Sequence, residues 1–328
     1  MKQNLILIAS LLTLLLRATP EANAQWVKTK GPYDGYIHAL AVGGSNGAPP
    51  MLFAATSDGV YLSTNNGAKW TSANNGLTNA GVTSLAISGA NTSSPMLFAG
   101  TNGGGVYRST NNGKSWSAAN SGIKDFGVLS VAVSGPNTST PILFAGTNKN
   151  RIYLSTDEGD DWRIADSILP RGVNVLAVSG GDVFAGTGGG VFLSTNNGSS
   201  WAVSNNGIIE GNISCICVIG SNAPSPMLLA GSLSGAYLST DNGTTWNATN
   251  KGLEGAETRA FAASAINAAS PMLFAGTSNG VFLSTDNGKT WTDDANKGLP
   301  TGIQIYALAV IGTNLFAATN DGVWRRPL

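Results

Sequence analysis

Several short motifs in this chain hold residue types that can carry chemistry. Gly43-Gly44-Ser45-Asn46-Gly47 fits G-x-S-x-G, the frame of a nucleophilic serine. That serine must sit on a sharp turn from a strand into a helix, with a histidine in reach. Here Pro49-Pro50 and then a strand-like run follow. The one histidine, His38, stands at the far end of the preceding strand, about 15 Å away at ~3.3 Å per residue. Gly113-Lys114-Ser115 and Gly288-Lys289-Thr290 end like phosphate-binding loops, but Arg108 and Leu283 stand where the first glycine is needed, and no helix follows. The acidic group Asp157, Glu158, Asp160 and Asp161 reads as a solvated turn, since a hard cation needs about six or more converging oxygens. Two cysteines and one histidine are too few for zinc. Cys215 and Cys217 share one face of a strand about 6–7 Å apart, too far for an easy bridge, and are expected as buried free thiols. These motifs predict no catalytic residue, no metal and no cofactor.

The elements that hold these residues repeat. An eight-residue segment occurs at Ser63–Trp70, Ser109–Trp116, Ser155–Trp162, Ser194–Trp201, Ser239–Trp246 and Ser284–Trp291, with the serines 46, 46, 39, 45 and 45 residues apart. Three strand-like runs precede each copy, as in Leu85-Ala86-Ile87, Met96-Leu97-Phe98-Ala99-Gly100 and Val106-Tyr107-Arg108, and the tryptophan opens a fourth. Four strands per ~45 residues make one propeller blade. Gly188-Gly189-Gly190 and Gly103-Gly104-Gly105 then fall in hairpin turns.

Within the segment the third residue is Asn65, Asn111, Asp157, Asn196, Asp241 or Asp286, whose short side chain accepts from its own turn. The fifth is always glycine (Gly67, Gly113, Gly159, Gly198, Gly243, Gly288), which reaches positive φ at no steric cost. The eighth is Trp70, Trp116, Trp162, Trp201, Trp246 or Trp291, each worth a gross ~4–6 kcal/mol if wedged between sheets. These are structural residues. Position seven is loose: Lys69, Ser115, Asp161 and Ser200 replace threonine.

The pattern resembles the Asp-box (BNR repeat), S-x-D-x-G-x-T-W, of sialidase-like propellers. That resemblance implies an all-β fold and raises glycosidase chemistry. Sialidases also carry an R-I-P signature and an arginine triad, and this chain has no R-I-P and no signature marking three arginines. Xyloglucan-cleaving relatives place substrate between two propellers. Seven-bladed relatives that help assemble photosystem II match better in architecture and are non-enzymatic protein binders.

After the sixth box, Ala307–Val310, Leu315–Ala318 and Val323–Arg325 match the first three strands of a seventh unit. Gln25-Trp26-Val27-Lys28 matches the strand after a box. The expected fold is therefore a single seven-bladed β-propeller over residues 25–328, with four antiparallel strands per blade and the N-terminal strand completing the last blade. Residues 1–24 read as a signal peptide: Lys2, an apolar run from Leu5 to Leu16, then Ala22-Asn23-Ala24. That run is too short to span a bilayer, so export without membrane insertion is expected. Without it, 16 basic and 17 acidic side chains remain, a balance that argues against nucleic acid as a partner.

Function is expected at the channel mouth, where each innermost strand begins. One position per blade aligns there: His38, Thr83, Leu129, Asn174, Ser214, Arg259 and Tyr306, a set that varies in size and chemistry. The loops before these strands add Tyr33, Asp34, Lys124, Asp125, Arg171, Glu210, Glu254 and Glu257. His38, Arg259 and Tyr306 are predicted to form the floor of a ligand site, with Asp34, Arg171 and Glu257 on its rim. The expected function is a secreted, monomeric binding or assembly scaffold for a protein or glycan. The alternative is a carbohydrate-active hydrolase or lectin.

Overall fold

A computed structural model describes residues 24–32, 36–44, 50–89, 95–135, 141–165, 169, 171–220, 226–264 and 271–328. Tyr33, Asp34, Ser45 and residues 1–23, which hold most of the expected signal peptide, lie outside the described residues. Seven antiparallel sheets follow one another, and consecutive innermost strands pack side by side until blade 7 meets blade 1. The innermost strands are Ile37–Gly43, Val82–Ser88, Val128–Ser134, Val173–Ser179, Ile213–Ile219, Thr258–Ala263 and Ile305–Ile311. The chain is a seven-bladed β-propeller. No described helix is long and apolar enough to cross a membrane.

The fourth strands are slighter than the repeat suggests. Outside blade 6 each is two residues long, as in Thr71–Ser72, and starts after the tryptophan rather than with it. In blade 6 the fourth strand shrinks to one bridge between Leu283 and Thr292, and a short 3-10 turn at Asp294–Asn296 replaces the rest.

Closure follows the sequence. Val27–Lys28 pairs with Gly322–Pro327, completing blade 7 with strands from both ends. Trp26 takes the place of a seventh box tryptophan. Its backbone N–H donates to Lys297 O at 3.0 Å, as Trp116 does to Asn75, Trp162 to Ser121, Trp246 to Asn206 and Trp291 to Lys251. Its indole N–H reaches Ala295 O at 2.5 Å.

The box turns show why position seven varies. Serine Oγ accepts from the glycine N–H four residues on, and the third residue's Oδ1 accepts from the N–H of position seven at 2.8–3.0 Å. Where the third residue is Asp, as in Asp241 and Asp286, the Thr245 and Thr290 hydroxyls donate to its second oxygen at 2.6 Å. Where it is Asn, as in Asn111 and Asn196, the amide donates instead to Ser115 and Ser200 Oγ at 2.8 Å. In these four boxes the hydroxyl turns round to suit an amide or a carboxylate, whereas Lys69 and Asp161 bring no hydroxyl and keep only the backbone bond. The fourth residue is also left-handed, with φ of 54–60° at Asn66, Asn112, Glu158, Asn197, Asn242 and Asn287. Asparagine tolerates that region better than most residues, so the asparagine bias there has a backbone cause.

The Asp boxes predict an acid response. Burial works to raise Asp241 and Asp286, but hydrogen bonds from Thr245 or Thr290 and from the box serine outweigh it, and Asp286 falls to about 2. Asp157 is also lowered, first by Ser155. A carboxylate lowered on folding contributes stability above its unfolded pKa, about 4, and loses it as pH falls toward the folded value. Replacing Asp157, Asp241 and Asp286 by Asn together should flatten the drop in urea midpoint between about pH 4 and pH 2. An unchanged slope would mean that these turns do not contribute to acid unfolding.

Cys215 and Cys217 are both free thiols. Cys215 is buried with Sγ 3.8 Å from Thr258 O, and Cys217 keeps partial exposure along the inner channel. Burial pushes both thiols up to about 12, so little thiolate forms at pH 8. Native protein should react slowly with a maleimide at pH 8, both cysteines should react at once in urea, and reductant should leave the melting point unchanged. A Cys215–Cys217 disulfide would contradict the strand placement.

Candidate functional site

Each innermost strand pairs with its neighbour out of step at one residue. Ile37 faces Thr56 and Ala39 faces Ala55, which leaves His38 without a cross-strand partner. The same slip leaves out Thr83, Leu129, Asn174, Ser214, Arg259 and Tyr306 in the other blades. The seven aligned mouth residues are thus seven β-bulges. A bulged residue escapes the alternation of the pleat, so packing does not dictate its side chain. That accounts for their variety.

Three of these side chains are used to tie blades together. Thr83 Oγ1 donates to Val128 O at 2.6 Å, Asn174 Nδ2 to Ile213 O at 3.0 Å, and Ser214 Oγ to Thr258 O at 2.6 Å. His38 Nε2 lies 3.0 Å from Ser57 Oγ within its own blade. Burial lowers its pKa below 6.5, which keeps the imidazole neutral at neutral pH. Arg171 turns to Gly188 O at 3.5 Å. Asp34 lies outside the described residues.

Arg259, Tyr306 and Glu257 do come together, across blades 6 and 7. Arg259 Nη2 donates to Glu257 Oε2 at 2.6 Å and Nη1 to Gln304 Oε1 at 2.8 Å. The guanidinium carbon sits 5.1 Å from the centre of the Tyr306 ring. Tyr306 Oη also donates to Gln304 Oε1, at 3.0 Å. Tyr36 of blade 1 meets Tyr306 edge-on, with centroids 5.6 Å apart at 73°. The Glu257 hydrogen bond, opposed by burial, raises the Arg259 pKa, and burial raises that of Tyr306. The result is a fixed cation between a carboxylate and an aromatic face, with guanidinium N–H groups to spare.

Tyr36 and Gln304 escaped the sequence reading, although a signal for them exists. They precede the first residue of their innermost strands, a column that reads Tyr36, Gly81, Gly127, Gly172, Asn212, Glu257 and Gln304 around the ring. Glycine fills it in blades 2 to 4. Side chains fill it in blades 5, 6, 7 and 1, so this one column is bare in three blades and furnished in four.

Residues 237–248 and 282–293 match the BNR/Asp-box repeat. The turn repeat of this propeller is an Asp-box. No curated protein sequence gives a significant match. Among solved structures, YCF48 bound to D1 peptide superposes with a TM-score of 0.68 at 15% identity, covering 93% of this chain and 96% of that one. YCF48 from Cyanidioschyzon merolae gives 0.66 at 18% identity, covering 93% and 98%. The GH74 xyloglucanase from Xanthomonas campestris gives 0.67 at 18% identity, covering 92% of this chain but 53% of the enzyme. These likenesses concern the fold of the Asp-box propeller.

Proposed function

We propose that this Asp-box propeller is an exported binding scaffold whose mouth face holds an extended protein segment. The observation that carries the reading is where apolar surface is left exposed. Seven large apolar side chains are exposed among the described residues. Val27, Ile164 and Val203 stand singly on outermost strands. The other four, Tyr36, Phe126, Ile209 and Leu233, all lie on mouth-side loops and hairpins, with Ile209 at 92% exposure. None of the seven lies on a box turn. Exposed apolar groups on the same face as a preassembled Arg259–Tyr306–Tyr36 cluster are the composition of an interface with aromatic and arginine anchors. The spare N–H groups of Arg259 suit peptide carbonyls or a carboxylate.

Two further points favour protein over sugar cleavage. The carboxylates with displaced pKa values, Asp157, Asp241, Asp286 and Glu254, are displaced downward, whereas a glycosidase acid needs the opposite. YCF48, whose whole length this propeller covers closely, is a peptide binder in its bound structure. Panning a random peptide display library and a glycan array in parallel on residues 25–328 tests the proposal. It expects a peptide consensus and no glycan signal. Saturable binding of a defined oligosaccharide, with no peptide enriched, would overturn it in favour of a lectin or hydrolase.

A further inference from the structure

At the end of the channel away from the mouth cluster lies a cavity of about 520 Å³. It is lined by the second halves of four innermost strands: Val42 of blade 1, Cys217 to Ile219 of blade 5, Phe261 to Ala263 of blade 6, and Leu308 to Val310 with Gly312 of blade 7. Among the described residues the lining holds no charged side chain. The size is that of small-molecule pockets, about 300–1,000 Å³.

The cavity coincides with departures from the repeat. The sixth residue of the innermost strand is Val42, Ile87, Val133, Val178, Val218 and Val310 in six blades, but Ala263 in blade 6. The fifth is alanine in six blades, but Cys217 in blade 5. The seventh is Gly43, Ser88, Ser134 or Ser179 in blades 1 to 4, but Ile219 and Ile311 in blades 5 and 7. Ala263 removes bulk, Cys217 and Phe261 add some, and Ile219 and Ile311 replace small positions with apolar ones, while blade 6 keeps Ser264 at the seventh. All of these changes fall on adjacent blades, in strands whose third and fourth positions also vary around the ring.

We infer that this end of the channel is a binding site for an uncharged, apolar small molecule, seated between blades 5, 6, 7 and 1 and independent of the mouth face. With no charged side chain among its described lining residues, the site selects on shape and apolarity. Cys217 lines it as a neutral thiol.

The test uses the neutral fluorophore N-phenyl-1-naphthylamine with the protein from residue 25 onward. Saturable, one-to-one fluorescence enhancement is expected. Ala263→Val restores the residue type of the other blades and should weaken the probe at least tenfold while keeping or raising the melting point. Val42→Met narrows the cavity from the opposite strand and should do the same, which keeps the test open if one variant fails to fold. Arg259→Ala at the mouth should leave probe affinity unchanged, so this site and the mouth reading fail separately. Absence of saturable binding, or equal affinity in both folded filling variants, would overturn the inference.

Discussion

Gly252→Ala is expected to destabilise the propeller by about 2–5 kcal/mol, a large share of a typical folding free energy. Gly252 holds φ at +96°, and an added Cβ would lie 1.9 Å from the carbonyl oxygen of Trp291 in the next blade. That oxygen belongs to rigid backbone, tied down because Trp291 N–H donates to Lys251 O at 2.9 Å. The clash and the left-handed strain add. Gly76, Gly122 and Gly207 repeat the arrangement against Trp116, Trp162 and Trp246 at 1.9–2.1 Å. Gly255, three residues on, has φ of +72° and nothing within 4 Å of a built Cβ. Gly255→Ala should therefore cost only the left-handed strain, about 1 kcal/mol. Urea unfolding of the two variants beside the parent measures the contrast. Equal losses would mean that close contact between blades is not what holds these glycines in place.

Removing the closing strand should cost more. Deleting residues 25–30 takes away the buried Trp26, its two hydrogen bonds to blade 6, the ladder to Trp324 and Arg325, and the Lys28–Asp321 pair at 2.6 Å. Burial of the tryptophan alone is worth a gross ~4–6 kcal/mol, and the deletion leaves an open sheet edge on blade 7. The exposed ion pair adds little. The truncated ring should melt well below the parent and tend to associate through its free edge. Deleting residues 324–328 removes the partner strand of the same blade and should have a similar effect. A truncated protein that melted like the parent would break the claim that the ring is closed by its two ends.

The fold was legible because its signal is redundant. Six boxes with an invariant glycine and tryptophan set the blade, and the leftover strands at the two ends completed the seventh. Blade 6 lost most of its fourth strand where Asp293 and Asp294, poor strand formers, lead into a 3-10 turn and one extra residue separates Trp291 from Asn296. The mouth was half legible. Aligning the inner strands placed the seven variable residues at one height, but a bulge is a property of register between two strands and has no residue signature. Which of the seven face outward depended on partners in the next blade: Thr83, Asn174 and Ser214 are consumed as ties, whereas Arg259 and Tyr306 stack on each other. His38 bonds to Ser57 and Arg171 to Gly188, contacts that the alignment of inner strands does not show.

The central claim, that ligand is held on the mouth face, is tested most directly by affinity of a display-selected peptide across both faces of one propeller. Arg259→Ala and Tyr306→Ala should each weaken it by ~1–3 kcal/mol, as truncations of anchor residues do. Lys69→Ala and Lys114→Ala, in box turns on the opposite face, should leave affinity unchanged. Loss of affinity in the two lysine variants, with the arginine and tyrosine variants binding like the parent, would place the site on the box face and contradict the account.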